Sequence, residues 1–426
     1  MIFEPFGKQK EFLKSSARIR AALAGKRGGK TEVGAIETII NLEKRPGFIN
    51  NPIDPFVVVV IAPTSDMLRR LSMRKLIAYA KPFPHTVNET RQEISWWNGS
   101  VVYGISADKP QRLEGIKANA IWLDEAFQMN EQVFLESLAR IADTKGRVWV
   151  TGSLGVQYKN PKAHWIYKHF KEKPLSDSQC FEWATADNPH IPREELERLQ
   201  HTLDPVTYRQ LFELSWDVQG NNLVYDNFST ENLKRHVYDP RLETYVSIDW
   251  GFTHPFVALY FQYDRQADTV YLFDEIHQSK LTLEQSWALM SQKPYRINEY
   301  FCDIAGLQTR EQTAISNVQW FRQPPRNIHF KYRTSEVTHG IALMRSYICN
   351  MKGQRRLYID ERMCPKTVDE IRNYSYKEKS GILSEKPVDI GEDALSAARY
   401  FFVNKLDFTR PTDQMAEMNR WKLTGR

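Results

Sequence analysis

Apolar and polar residues alternate along the first part of the chain in a way that predicts both strands and helices. Short, unbroken apolar runs at 19–23 and 56–62 are typical of strands that are buried on both faces of a parallel sheet. Each run is followed by residues with helical spacing, over 32–42 and over 66–79, whose apolar side chains share one face. Strands that alternate with helices predict a doubly wound, mostly parallel sheet.

The next stretch of sequence adds an antiparallel part to this sheet. The segments 93–97 and 101–105 flank Asn98-Gly99, which is a strong signal for a β-hairpin. Two further strands are predicted at 120–123 and 147–150, with a helix over 131–141 between them. The first part of the chain is therefore predicted to be an α/β domain with an antiparallel addition.

The later part of the chain has a different order of elements. Over about 186–232, helices are broken by prolines and loops, which indicates a small linker subdomain. A new domain is predicted to have strands at 244–249, 256–262, 269–273 and 299–303, and helices at 283–291, 336–351, 365–373 and 392–404. Three strands in a meander, a helix, and a strand beside the first have the order of a ribonuclease-H-like sheet.

The composition limits the class of protein without selecting one. A chain of 426 residues with 42% hydrophobic residues can bury two or three cores, and no apolar run approaches the roughly 20 residues of a membrane span. The segment MIFEPFGKQKEF lacks the apolar core of a signal peptide. The four cysteines have no metal-ligand spacing, which predicts reduced thiols in a cytosol-like compartment. A net charge of +6 permits a polyanionic partner without requiring one.

The first candidate site is the turn between the strand at 19–23 and the helix that follows it. Its sequence, AGKRGGKT over 24–31, meets the phosphate-binding pattern G-x-x-x-x-G-K-[ST] except at its first position. Glycines let backbone N–H groups point at phosphates, Lys30 can reach the β- and γ-phosphates, and the Thr31 hydroxyl can hold Mg²⁺. By itself the motif fits an ordinary glycine turn equally well. The residues predicted to contact the nucleotide are Gly25, Lys26, Arg27, Gly28, Gly29, Lys30 and Thr31.

A second motif favours the nucleotide interpretation. The strand at 120–123 ends in Asp124 and Glu125, and the alternative is a buried strand that happens to end in exposed acids. Downstream of Gly-Lys-Thr, Asp124 would hold Mg²⁺ through water and Glu125 would polarise the attacking water. The two motifs together predict an ATPase, with ATP and Mg²⁺ as its cofactors.

Three weaker features belong with these motifs. Gln9 could contact the adenine ring with its amide, or it could be a surface residue at a helix start. Thr151, Gly152 and Ser153 end the strand at 147–150, where they could sense the γ-phosphate, although any strand can end in such residues. Arg27 and Arg112 are candidates for stabilising transition-state charge, although without context each is more simply a surface arginine.

Carboxylates are predicted to converge at one end of the ribonuclease-H-like sheet. Asp249 and Asp303 end neighbouring strands, and Glu392 and Asp393 begin the last helix, where carboxylates are favoured. Each acid alone could be a cap or a surface charge. Several carboxylates at one point repel each other unless cations neutralise them, so their joint placement predicts a two-metal site for Mg²⁺ or Mn²⁺. Asp249 would bridge the ions, Asp303 and Asp393 would complete the cage, and Glu392 would be an outer or alternative ligand.

Taken together and in this order, the motifs resemble the large terminase subunit of tailed bacteriophages, the motor that packages DNA into capsids. The resemblance covers nearly the whole chain and rests on AGKRGGKT, IWLDEA, TGS, DNPHIP, WDVQGNNLVY, SIDWGFTHP, FCDIAG and EDALSAARY. It implies a P-loop packaging ATPase of the RecA-like, additional-strand type over 1–185 and a linker subdomain over 186–240. It also implies a ribonuclease-H-like endonuclease over 241–410, which cuts concatemeric DNA, and a C-terminal tail over 411–426.

The resemblance further implies partners and a place in the cell. Double-stranded DNA would be the substrate, and the portal protein and the small terminase subunit would be partners of a homo-oligomeric ring on the procapsid, with no role for a membrane. We expect the protein in the host-cell cytoplasm and transiently at the portal, and not in the mature virion. Family resemblance also makes Gln9 an adenine contact and Thr151-Gly152-Ser153 the coupling motif.

Two positions depart from the family pattern. The family often has Leu-Arg-Gly ahead of the Asp-Glu strand, where the arginine acts between subunits, but Glu114 occupies that place here. Arg112 is therefore only a candidate for that arginine. The last acidic motif often has two aspartates, whereas its first member here is Glu392, a longer ligand that should still reach a metal.

Two other functions share parts of this pattern. An ATP-driven helicase or repair translocase with a resolvase-like nuclease would have both sites and a different partner, and the sequence contains no strand-separating feature. A nucleotide-switched capsid clamp would keep its sites only as relics. The intact residues of both sites argue against such a clamp: Lys30, Thr31, Asp124, Glu125, Asp249, Asp303 and Asp393.

Overall fold

The computed structural model describes residues 4–43, 55–108, 113–156, 158, 160–217, 222–251, 254–307, 315–379, 382–388 and 391–407. The chain divides into two compact units, which are Met1–Arg198 with Val206–Val218, and Leu199–Pro205 with Gln219–Arg426. Residues of the predicted linker subdomain, 186–240, are assigned to both units, and its existence as a separate subdomain stays a prediction.

The first unit is built on one sheet. Its strands are β1 (Ile19–Ala24), β2 (Val57–Ala62), β3 (His85–Asn88), β4 (Glu93–Trp96), β5 (Val101–Ser106), β6 (Ala120–Leu123), β7 (Arg147–Gly152) and β8 (Ser178–Trp183). Among the described residues their order is β3-β4-β5-β2-β6-β7-β1-β8. All pairs are parallel except that β4 runs antiparallel to both β3 and β5. The mostly parallel sheet and the hairpin at Asn98-Gly99 are confirmed, whereas β3 and β8 were not predicted.

Helices cover both faces of this sheet. The helices of this part of the chain are α1 (Gly7–Lys14), α2 (Lys30–Glu43), α3 (Ser65–Met67), α4 (Arg74–Ala80), α5 (Glu131–Arg140), α6 (Trp165–Tyr167), α7 (Arg193–Thr202) and α8 (Pro205–Phe212), and the last two contribute residues to both units. A π-helical segment, Leu68–Met73, connects α3 to α4. Side chains alternate across each strand, so that Trp122 packs in the cluster that contains Val33 of α2, and Leu123 packs in the cluster that contains Phe134 of α5.

The second unit has a sheet of different topology. Its strands are β9 (Glu243–Asp249), β10 (Phe256–Asp264), β11 (Thr269–Gln278), β12 (Glu299–Cys302), β13 (Phe330–Lys331) and β14 (Leu357–Ile359), and β15 (Tyr376–Lys379) and β16 (Ile382–Pro387) form a separate ribbon. Its helices are α9 (Leu283–Ser291), α10 (Asn317–Arg322), α11 (Val337–Ile348), α12 (Pro365–Asn373) and α13 (Asp393–Phe401). In the described residues the strand order of the larger sheet is β13-β12-β9-β10-β11-β14.

This order confirms the ribonuclease-H-like arrangement. Strands β9, β10 and β11 form an antiparallel meander, and β12 pairs parallel with β9. Helix α13 packs on β9 and β10, where the Phe401 ring stacks on the Phe261 ring at a centroid distance of 4.2 Å. The carboxyl ends of β9 and β12 therefore lie next to each other at one edge of the sheet.

Within the described parts of the chain, no helix is both long and apolar enough to span a bilayer.

A buried ion pair fixes helix α2 to strand β1 in the first unit. The Arg20 guanidinium donates to the Glu37 carboxylate, and these side chains are only 1% and 2% exposed. Arg20 also donates to the carbonyl of Phe12 at 2.9 Å, and Asn41 donates to Glu37 at 2.7 Å. This network holds α1, β1 and α2 together next to the glycine turn at 24–31.

We expect Glu37→Ala to destabilise the protein strongly, because it leaves a buried guanidinium without a counter-charge. The loss in the free energy of unfolding should be about 3–5 kcal/mol, whereas replacing both partners, Arg20→Met with Glu37→Leu, should restore most of it. Thermal unfolding of the full chain measures both changes. An unchanged melting temperature for Glu37→Ala would contradict the assignment.

Candidate functional site

The carboxyl ends of three neighbouring strands, β6, β7 and β1, lie side by side in the sheet of the first unit. Strand β7 lies between β1 and β6, and all three are parallel. The glycine turn at 24–31 therefore lies on one side of the β7 end, and the acids after β6 lie on the other. Thr151 to Ser153, at the end of β7, can therefore contact both the turn and the acids.

Asp124 is a buried acid at these carboxyl ends, directly after β6. Its carboxylate is 0% exposed and accepts hydrogen bonds from the Thr151 hydroxyl and the Ser72 hydroxyl, each at 2.7 Å. The Trp122 indole donates to Thr151 at 2.8 Å, which leaves the Thr151 proton for Asp124. Burial and then the charge of Glu125 raise the pKa of Asp124 to about 6, against the lowering effect of the two hydroxyl donors.

The predicted phosphate and metal residues lie beside Asp124. The Thr31 hydroxyl is 3.4 Å from the Asp124 carboxylate, and the Lys30 ammonium pairs with Glu125 at 2.9 Å. Glu125 has a left-handed backbone (φ 55°), a costly conformation that is concentrated at functional sites. A cavity of about 360 Å³ opens here, lined by Lys26, Arg27, Lys30, Glu125, Gln128, Ser153, Leu154 and Gly155. The hydroxyl and carboxylate oxygens around it suit a hard divalent cation.

The glycine turn itself is fixed by backbone geometry. Gly29 has φ +76°, and a Cβ there would lie 2.7 Å from the Gln9 amide, so glycine is required. A Cβ on Gly25 would lie 2.3 Å from the carbonyl oxygen of Phe212. Gly152 is equally constrained, because its Cβ would meet the Phe127 ring at 2.8 Å.

Gln9 and Ser153 contact the turn rather than open space. Gln9 is buried, its amide oxygen accepts from the N–H of Phe6 at 3.3 Å, and its amide nitrogen donates to the carbonyl of Gly29 at 3.1 Å. Ser153 donates to the carbonyl of Ala24 at 2.7 Å. The adenine and coupling roles stay predictions. Arg112 lies outside the described residues, and its role also stays a prediction.

Sequence reasoning missed several residues of this site. Ser72 lies in the π-helical segment Leu68–Met73, whose register brings its hydroxyl to Asp124. π-Helical turns occur often at functional sites, but nothing in the local spacing of apolar residues marks one. The residues Trp183, Thr185 and Asn188 contact the turn from β8 and the segment after it, and the motif DNPHIP was the available signal.

The second unit brings Asp249 and Asp303 to neighbouring strand ends. Asp249 ends β9 and Asp303 directly follows β12, and the register pairs Cys302 with Ile248. Burial, then the charges of Asp303 and Asp393, raise the pKa of Asp249 to about 8. The carboxylate of Asp303 accepts from the N–H of Gly306 at 3.1 Å. The register therefore places Asp249 and Asp303 next to each other, and the charge of Asp393 also acts on Asp249.

Asp393 begins helix α13, as predicted. Burial and the charge of Glu370 raise its pKa, and the imidazole of His254 lies 3.9 Å away. Glu370 accepts from the N–H groups of Ala394 and Leu395 at 2.9 and 3.3 Å, so it caps the helix that carries Asp393. The other oxygen of Glu370 is bound to His277 at 2.9 Å.

Glu392 is directed into the protein. Its carboxylate accepts from the Arg399 guanidinium at 2.9 Å and from the Tyr374 hydroxyl at 2.6 Å. In the part of the chain that the structure describes, no group of three His, Cys, Asp or Glu side chains is close enough to hold a metal ion. The metal-ligand roles of Asp249, Asp303, Asp393 and Glu392 stay predictions. Oxygen donors that raise one another's pKa are nevertheless a donor set that divalent cations fit.

Comparison with known families assigns both halves of the chain. The family described as "Terminase large subunit, T4likevirus-type, N-terminal" matches residues 21–223. The family described as "Terminase RNaseH-like domain" matches residues 246–405. Comparison with curated protein sequences gave no match.

Solved structures with a similar fold include the large terminase of a thermophilic bacteriophage. One crystal form has a TM-score of 0.59 at 18% identity and covers 95% of this chain and 100% of that chain. Its complex with ATP-γ-S has a TM-score of 0.57 at 19% identity, with 94% and 100% covered. Its complex with ADP has a TM-score of 0.56 at 20% identity, with 95% and 100% covered. These similarities show a shared fold.

The buried charge of Asp124 has a measurable cost. Because its pKa is raised in the folded state, the folded protein binds more protons than the unfolded chain between about pH 4 and pH 6, so stability falls as the pH rises through that window. We expect Asp124→Asn to raise the stability of the nucleotide-free protein at pH 8 by up to about 2 kcal/mol, with a smaller gain at pH 5. Melting temperatures in EDTA at both pH values measure this. Destabilisation at pH 8 would refute it.

Proposed function

Because the chain belongs to the family of large terminase subunits, we propose that it is a viral DNA-packaging motor with an ATPase unit and an endonuclease unit. ATP hydrolysis would drive double-stranded DNA into the procapsid, and the nuclease would cut concatemeric DNA. Directional movement of DNA is the part of this proposal that goes furthest beyond the family assignment.

One observation carries the ATPase part. Buried Asp124 contacts Thr31 of the phosphate-binding turn on one side and Thr151 of β7 on the other. Burial of a carboxylate is costly even when hydroxyl groups donate to it, and a bound cation would offset that cost. ATP is the proposed nucleotide and Mg²⁺ the proposed cation, and the ATP-γ-S and ADP complexes of the thermophilic phage terminase support a nucleotide of this type.

Each residue of this site has a proposed part in hydrolysis. Thr31 and Asp124 would hold the divalent cation, which when bound offsets phosphate charge. Lys30 would exchange its pairing with Glu125 for the phosphates, and this would free the Glu125 carboxylate to orient and polarise water. The ion pair therefore keeps both groups in place before nucleotide binds.

The nuclease would use the acids of the second unit. Asp249, Asp303 and Asp393 would hold Mg²⁺ or Mn²⁺, whose Lewis acidity supports hydrolysis of a phosphodiester in two-metal enzymes. The raised pKa of Asp249 follows from burial and mutual repulsion, and it indicates a site that is short of positive charge. Glu370 would keep Asp393 in position by capping α13.

Partners and location are proposed from the family. The portal protein and the small terminase subunit would be the protein partners of a ring of identical subunits on the procapsid. The protein would then act in the host-cell cytoplasm and at the portal, and it would be absent from the mature virion.

Filling of empty procapsids tests the motor function. Purified protein with ATP and linear double-stranded DNA should package DNA into a nuclease-protected form, whereas strand separation without filling would indicate a helicase.

Glu125→Gln should bind ATP like the wild type but lose hydrolysis and packaging, because only water activation is removed. Lys30→Ala should weaken nucleotide binding itself. Near-normal ATP turnover by Glu125→Gln would disprove the catalytic assignment.

Plasmid digestion in Mg²⁺ and in Mn²⁺ tests the nuclease site. Asp303→Asn should lose DNA cleavage in both metals and keep its ATPase rate, because Asp303 and the phosphate-binding turn belong to different units. Glu361→Gln, at an exposed carboxylate of the same unit, is the matched control and should cleave like the wild type. Wild-type cleavage by Asp303→Asn would exclude these acids as the active site.

A further inference from the structure

The backbone carbonyl oxygens of the glycine turn, from Ala24 to Gly29, all accept hydrogen bonds from the protein. Those of Ala24 and Gly25 accept from Ser153 and from the N–H of Gly28. The next four accept from side chains outside the turn: Lys26 from Thr185 at 2.7 Å, Arg27 from Asn188 at 2.7 Å, Gly28 from Trp183 at 2.6 Å and Gly29 from Gln9 at 3.1 Å. We call these four donors, Gln9, Trp183, Thr185 and Asn188, the carbonyl clamp.

The clamp decides where the N–H groups of the turn point. In a trans peptide, the carbonyl of one residue and the N–H of the next point in opposite directions. The carbonyls of Gly28 and Gly29 point toward the clamp. The N–H groups of Gly29 and Lys30 therefore point away from it. Among the described residues, the N–H groups of Gly29, Lys30, Thr31 and Glu32 have no acceptor, so they remain available to a phosphate.

The clamp residues are themselves fixed in orientation. All four are buried, and the most exposed of them, Asn188, is only 9% exposed. The amide oxygen of Asn188 accepts from the N–H of His190 at 3.0 Å, which leaves its amide nitrogen to face Arg27. Asp187 accepts from the N–H of Ala184 at 2.8 Å and closes the short turn that presents Thr185. Arg27 has φ 63°, so its peptide is held in a conformation that it would not adopt freely.

We propose that the carbonyl clamp is a set of positioning residues that holds the turn in its phosphate-binding conformation before nucleotide arrives, and that Gln9 contributes to nucleotide binding as part of this clamp. The inference rests on the proposed ATPase function. The clamp acts on the part of the ligand that all nucleoside triphosphates share, so its loss weakens their binding equally. An adenine contact would instead act on ATP alone.

Binding of ATP, GTP and inorganic tripolyphosphate to the full chain in Mg²⁺, measured by calorimetry, tests the proposal. Thr185→Val, Asn188→Asp and Gln9→Leu each remove one donor at nearly constant volume. Each should weaken all three ligands by a similar factor, about three- to tenfold for one hydrogen bond. The KM for ATP hydrolysis should rise by more than kcat falls. Thr185→Ser keeps the donor and should restore wild-type affinity.

Thr144→Val is the control for a lost hydroxyl, because Thr144 donates to the carbonyl of Ala118 at 2.7 Å in the same unit and takes no part in the clamp. It should leave all three affinities unchanged. Clamp variants that bind like the wild type, or a Gln9→Leu loss confined to ATP, overturn the inference alone. A wild-type protein that binds none of the three ligands overturns the proposed function together with it. Asn188→Asp and Gln9→Leu keep the test decisive if Thr185→Val does not fold.

Discussion

The hydrogen bond between Thr151 and Asp124 is the contact on which the first unit's site depends. It joins the ends of two neighbouring parallel strands. Together with the hydrogen bond from the Ser72 hydroxyl, it offsets the cost of burying the Asp124 carboxylate. Strand β7 can make this bond and also contact the turn through Ser153, because it lies between β6 and β1. The turn and the acid Asp124 are therefore both hydrogen-bonded to the end of one strand.

The sequence was a good guide wherever function coincides with the end of a regular element. The turn after β1, the acids after β6 and the aspartates after β9 and β12 follow apolar runs whose length and composition are visible directly. The sequence did not predict contacts that depend on a π-helical register or on the edge strand of the sheet. Ser72 reaches Asp124 only through a π-helical segment, and the clamp depends on β8, whose half-buried edge pattern was not recognised as a strand.

Glu392 shows why the ligand set of the second unit could not be derived in full. Its position at the start of α13 fits a ligand as well as the position of Asp393 does, and spacing cannot separate the two. The deciding partners are Tyr374, from outside the helix, and Arg399, seven residues further along it. A buried guanidinium needs a carboxylate partner, and Glu392 serves as that partner for Arg399 while its charge still raises the pKa of Asp249.

The two units compensate their clustered acids in different ways, and this difference has consequences for function. In the first unit, hydroxyl donors surround Asp124 and the Lys30 ammonium pairs with Glu125, so the site is organised by the protein itself. In the second unit, Asp249 is opposed by Asp303 and Asp393, and at neutral pH its raised pKa favours the protonated carboxyl. The cation proposed for that site would have to displace a proton, whereas the carbonyl oxygens of the glycine turn already accept hydrogen bonds from the protein.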